Sequence, residues 1–167
     1  MIRPRSPAPG RLEGFAIVFT RFPLELRERS VLMVEDDKGA WANIGNAFKY
    51  FGMRKFVLAE SCATGKKLLD DLLAQGRSLS FEMAIVDLHQ PGMTTVEFVR
   101  YIRAHAVLKH LPIIVLSENA TVETVQELSR LGISGFLLKP ISPTALAEKV
   151  SEVLLPLIAA RKDQAAG

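Results

Sequence analysis

Five polar residues each stand beside an apolar run. Glu35 and Asp36 follow Val31-Leu32-Met33-Val34, and Asp87 follows Met83-Ala84-Ile85-Val86. Ser117 follows Ile113-Ile114-Val115-Leu116, and Lys139 follows Phe136-Leu137-Leu138 and precedes Pro140. If these runs are parallel strands, their carboxyl ends share one edge, which is where open α/β sheets build sites. That edge carries three carboxylates, a hydroxyl and an ammonium. Clustered carboxylates repel one another unless a cation is present. A hard ion such as Mg²⁺ takes oxygen ligands and keeps some of its water. With the repulsion relieved, Asp87 is a candidate nucleophile toward a phosphoryl group, forming an acyl phosphate. Lys139 would offset charge on the equatorial oxygens, and Ser117 would donate a hydrogen bond to one of them.

The elements that must hold these residues follow from periodicity. Val31–Val34 reads as a strand buried on both faces, because only such a strand is continuously apolar. Lys38–Phe51 reads as a helix, with Trp41, Ile44, Phe48 and Phe51 at helical spacing and Gly52 as its stop. Lys55–Ala59 is a second strand. A helix over Thr64–Gln75 turns Leu68, Leu69, Leu72 and Leu73 inward and ends at Gly76. Then come strand Met83–Val86, helix Thr94–His105, strand Pro112–Leu116, helix Thr121–Leu131, strand Gly135–Leu138 and helix Pro143–Ala160, which Pro156 kinks or ends early. Strict alternation predicts a parallel sheet covered on both faces. A doubly wound, flavodoxin-like order 2-1-3-4-5 sets the first and third strands side by side. Glu35, Asp36 and Asp87 then meet across the crevice.

The 167 residues fit one domain with a full core, and 49% are apolar, which argues against general disorder. No apolar run approaches a membrane span, and no signal peptide is read. The single Cys62 rules out an internal disulfide and reads as a packing residue in a reducing compartment. Residues 1–30 hold six Arg and three acids, whereas residues 31–167 hold fifteen bases and fifteen acids. The net charge of +3 therefore belongs to the N-terminal stretch. No dense basic stripe with interleaved aromatics supports direct nucleic-acid binding. Residues 1–29 read as a partly disordered extension, 30–161 as the domain and 162–167 as a tail. Within the extension, Phe15–Phe19 reads as a short strand and Leu24–Arg29 as a helical turn. That turn packs as an extra element, pairs with another chain or stays disordered, and the residues do not choose.

The stretches VLMVEDD, AIVDLHQPGM, LPIIVLSENA and GFLLKP, in that order, resemble the receiver domain of bacterial response regulators. Thirty residues separate Asp87 from Ser117 and twenty-two separate Ser117 from Lys139, which fits that family. The resemblance covers about Ser30 to Ala160. It implies Asp87 as phospho-acceptor and Mg²⁺ held by Asp36, Asp87, the His89 backbone carbonyl and, mainly through water, Glu35. It also implies Ser117 as the switch hydroxyl, Phe136 as the aromatic switch residue and Lys139 as the phosphoryl partner, with a cis Lys139–Pro140 bond. The implied partners are a sensor histidine kinase or histidine phosphotransfer protein and a downstream protein target. A homodimer through Thr121–Leu131, Gly135–Leu138 and Pro143–Ala160, or through the N-terminal extension, is compatible with the pattern. No output domain is expected after the last helix, so output is expected to pass through a partner in the cytoplasm. The only reactions expected are Mg²⁺-dependent self-phosphotransfer and autodephosphorylation.

Several positions depart from the family. Glu118 follows the switch hydroxyl where a small residue is usual, and with Asn119 it is expected to modulate the site. Thr94-Thr95 replaces the frequent Asp-Gly. The stretch from Gly52 to Asp87 looks longer than usual, with the excess in the second helix or in Gly76–Phe81. Asp37 reads as a helix start, His105 and His110 as solvated, and Lys66-Lys67 with Asp70-Asp71 as a paired helix face. Arg100 and Arg103 read as solvated too. The main rival is a receiver-like scaffold that works without phosphorylation. An aspartate-nucleophile phosphatase would favour Asp-x-Asp after the first strand, and a dinucleotide binder would need a Gly-rich loop there; both are absent.

Overall fold

The computed structural model describes residues 21–166. Five strands form one parallel sheet in the order β2-β1-β3-β4-β5. They are β1 Ser30–Val34, β2 Lys55–Ala59, β3 Met83–Asp87, β4 Ile113–Ser117 and β5 Gly135–Leu138. The helices are α1 Leu24–Arg27, α2 Lys38–Phe51, α3 Cys62–Ala74, α4 Thr95–Ala104, α5 Val122–Arg130 and α6 Pro143–Ala166. This is the doubly wound order expected from the alternation, and β1 pairs β3 with Val34 opposite Val86. Alternate strand residues face opposite layers. Val31, Met33, Ile85 and Ile114 pack against α1, α2 and α6, whereas Leu32, Val34, Val86 and Val115 pack against α3, α4 and α5.

The helix starts are set by short polar side chains that satisfy otherwise orphaned N–H groups. Asp37 Oδ1 accepts from the Ala40 N–H at 2.6 Å, which makes Asp37 the cap of α2. Ser61 and Thr121 cap α3 and α5. Thr94 and Glu97 form a reciprocal capping box on α4, so Thr94 performs at this turn what an Asp would. Gly52, at φ 100°, ends α2 in the left-handed region.

Three features differ from the sequence reading. The first is the start of the domain, where packing as an extra element is one of three alternatives the residues leave open. Phe22 and Leu26 are fully buried and belong to the α2–α6 core, so the chain before Ser30 is built into that core from Phe22 onward. Phe22 stacks on Phe48 at 6.0 Å, and its N–H donates to the Phe51 carbonyl at 2.8 Å. The strand read at Phe15–Phe19 lies outside the described residues. The second is α6, which runs through Pro156 and position 161 to Ala166. Pro156 removes one helical N–H, but contacts beyond it hold the last turns. Ile158 is buried, Arg161 pairs with Glu82 at 3.3 Å and Lys162 pairs with Glu25 at 3.5 Å. The third is Arg103, which is not solvated. Its guanidinium donates to the carbonyls of Leu131, Leu111 and Gly132 at 2.9–3.0 Å, tying α4 to the end of α5. The Lys66–Asp70 and Lys67–Asp71 pairs form as read, at 2.6 and 2.8 Å.

Candidate functional site

The site forms where β1 and β3 end side by side. Parallel pairing at Val34–Val86 places the next residues, Glu35 and Asp87, on the same edge. Both are buried, while Asp36 is exposed beside them. Glu35, Asp36 and Asp87 each offer a carboxylate oxygen within 4.8 Å of the others. All three donors are hard oxygen groups, which suits a divalent cation of the Mg²⁺ type and not a soft metal.

Lys139, just past β5, reaches back across the edge. Its Nζ lies 2.7 Å from Asp87 Oδ1 and 3.0 Å from Glu35 Oε2. Burial works against the ammonium charge, but the hydrogen bonds and charges of Asp87 and Glu35 outweigh it and hold Lys139 above the ordinary lysine value. Burial raises the Glu35 carboxyl above its ordinary value, and the Asp87 charge adds to this. Lys139 and the Asp37 N–H, which donates to Glu35 Oε1 at 3.1 Å, only partly offset the rise. One ammonium thus serves two buried carboxylates, leaving the edge electron-rich. The Lys139–Pro140 bond is cis, as the resemblance implied.

His89 comes to the site through its backbone. Its N–H donates to Asp87 Oδ2 at 2.9 Å while its side chain is exposed. Ser117 ends β4 fully buried, and its hydroxyl is engaged locally: it donates to the Asn119 carbonyl and accepts from the Asn119 N–H. The Lys139 N–H donates to the Ser117 carbonyl at 2.7 Å, which ties the ends of β4 and β5 together. Phe136 is half-buried against the α3–α5 layer. Glu118 and Asn119 are both exposed, so the Glu118 side chain meets solvent at the rim. A pocket of about 330 Å³ opens between the β3–α4 and β4–α5 loops, lined by Leu88, His89, Thr94, Thr95, Asn119 and Thr121 among others.

One residue at the site was not singled out from sequence for a role there. Thr95, the first residue of α4, is buried, and its hydroxyl donates to the Asp87 carbonyl at 2.7 Å. The only signal was a hydroxyl where the resembled family frequently has glycine.

With the geometry in hand, the comparisons define the class of protein. The sequence profile of the response regulator receiver domain matches residues 31–151. The chain belongs to that family, and with it to two-component signalling. It is 27% identical over 123 residues to the chemotaxis protein CheY of Pseudomonas aeruginosa, covering 74% of this chain and 94% of that one. It is 25% identical over 153 residues to the sensory/regulatory protein RpfC of Xanthomonas campestris, covering 87% of this chain but 20% of that one. Among solved structures, Vibrio cholerae CheY4 matches with a TM-score of 0.63 at 26% identity, covering 75% of this chain and 98% of that one. A response regulator receiver protein from Pseudomonas putida matches with a TM-score of 0.63 at 27% identity, covering 74% and 96%. Receiver domains generally bind Mg²⁺ at an acidic pocket, and they interact with histidine kinases or phosphotransfer proteins. Among the described residues, no helix is long and apolar enough to cross a membrane.

Proposed function

We propose that Asp87 accepts a phosphoryl group from a phosphohistidine on a sensor kinase or phosphotransfer protein. The supporting observation is its carboxylate, buried and held between Lys139 Nζ and the His89 N–H beside two further acids. An Asp87 carboxylate oxygen forms a bond to phosphorus as the donor's P–N bond breaks. The electron pair stays on the imidazole nitrogen, which takes up a proton from solvent. Glu35, Asp36, Asp87 and the His89 carbonyl would hold Mg²⁺, which supplies positive charge at the reacting edge.

Lys139 carries the same burden from the protein side, since its ammonium already lies against Asp87 and would follow the developing charge. Ser117 would exchange its Asn119 partner for a phosphoryl oxygen, drawing the β4–α5 loop toward Asp87. Phe136, on the neighbouring strand, would repack with it. The changed surface of α5, β5 and α6 would then carry the signal to a downstream protein target in the cytoplasm, as a population shift between two states. Self-phosphotransfer and autodephosphorylation would be the only reactions. A scaffold that ignores phosphorylation draws its support from Glu118 and the missing Asp-Gly; exposure of the Glu118 side chain and the Thr94 capping box weaken that reading.

The test is intact-protein mass after incubation with acetyl phosphate and Mg²⁺, and separately with a phosphorylated histidine donor. A phosphoryl adduct that disappears in Asp87→Asn and with chelator is expected. An adduct that persists in Asp87→Asn, or none with either donor, would refute the assignment.

A further inference from the structure

The Thr95 hydroxyl sits where three groups converge. It lies 2.7 Å from the Asp87 carbonyl, 3.2 Å from the Leu88 carbonyl and 3.7 Å from Cys62 Sγ. A hydroxyl has one proton to give and two lone pairs to receive with. Two carbonyls can only accept, so the proton goes to them, the shorter contact to Asp87 being the stronger. Cys62, fully buried at the start of α3, then donates its S–H to the Thr95 oxygen.

The anchor itself is firm. Thr95 opens α4 directly after the reciprocal Thr94–Glu97 capping box. The hydroxyl therefore ties the turn leaving β3 to a fixed helix end. That turn also delivers the His89 N–H to Asp87 Oδ2. Asp87 is thus gripped at its backbone by Thr95, at one carboxylate oxygen by His89 and at the other by Lys139. A glycine at position 95, frequent in the family, would offer no such grip.

We propose that Thr95 is a positioning residue: its hydroxyl fixes the Asp87–His89 turn and thereby the orientation of the Asp87 carboxylate. Its consequence for phosphorylation rests on the reading of Asp87 as acceptor. Removing the hydroxyl frees two carbonyls and lets the turn sample other orientations, which slows attack without removing any reacting group.

The test compares Thr95→Val, Thr95→Ala and Thr95→Ser in the full chain, with two readouts. The first is amide hydrogen exchange at His89 by NMR, with the Ile85 amide in mid-β3 as internal reference. The second is the rate of adduct formation with acetyl phosphate and Mg²⁺. Val and Ala are expected to lose about five- to tenfold of His89 protection relative to Ile85, the size of one buried hydrogen bond. Adduct formation should slow by a similar factor, and Ser should preserve both. A Val or Ala variant that changes only the melting temperature overturns the proposal, as does a Ser variant no better than Val. If Val does not fold, Ala carries the comparison. The exchange readout needs no phosphorylation, so an inactive wild type would sink the functional reading while leaving the positioning role decided.

Discussion

Lys139 is shared between two buried carboxylates, and that arrangement has a measurable price at the residue level. Lys139→Ala leaves Glu35 and Asp87 facing each other with backbone N–H groups alone. Adduct formation from acetyl phosphate should fall on the order of 10²-fold, the usual effect of losing one charge-stabilising donor, while the Asp87 adduct remains detectable at long times by mass. A second residue-level effect concerns alkaline pH. Burial pushes the Cys62 thiol from 9.0 up to about 11. Above pH 9.0 the unfolded chain releases this proton while the folded chain keeps it. The contribution is therefore full below that pH and is lost as pH rises toward the folded value. Lys139, also raised, acts in the same sense above the ordinary lysine range. Melting temperature should decline from pH 9 to 11, and Cys62→Ala should flatten part of that decline. Native protein should also react slowly with a thiol reagent at pH 8, because the thiol is both buried and protonated.

Among the elements, strands β1, β3 and β4 were the easiest to read, since burial on both faces forces an unbroken apolar run. Helix ends followed from Asp37, Thr94, Thr121 and Gly52 for equally local reasons. Glu35, Asp87, Ser117 and Lys139 were legible because each sits one position past such a run. What escaped had causes beyond local sequence. Four residues of α1 carry too little pattern to show that Phe22 and Leu26 enter the core, since their partners Phe48, Phe51 and Ile158 lie far along the chain. Pro156 argued for an end to α6, whereas side-chain contacts across the fold outweighed the missing N–H. Thr95 read only as part of a departure from the frequent Asp-Gly, because its carbonyl partners appear only once β3 and α4 meet. The strength of the α1 strap can be measured. Phe22→Ala should cost about 3–5 kcal/mol and Leu26→Ala about 2–5 kcal/mol in urea unfolding, as for other buried side chains. A loss under 1 kcal/mol for both would mean the strap is not part of the stable core.

For the whole molecule, the acidic edge links cation binding to stability. Three carboxylates within 4.8 Å raise the energy of the metal-free fold, and a bound cation relieves it. At a hundredfold excess over Kd, Mg²⁺ should stabilise by about 2.7 kcal/mol, which is roughly 5–10 °C in melting temperature for a chain of this size. Asp36→Asn should remove most of that rise and slightly raise the metal-free melting temperature. The strap has another consequence, in time instead of energy. Glu25 and Lys162, which pair across the back of the molecule, are 137 positions apart. A ribosome adding roughly 5–20 residues per second needs about 7–27 s to span them. The layer under α3, α4 and α5 has its last strand, β5, well before Ile158 is made. During synthesis the two faces of the sheet therefore close in sequence. Phe22, Phe48 and Phe51 wait uncovered until α6 emerges, and this aromatic face is the one a nascent-chain chaperone would meet.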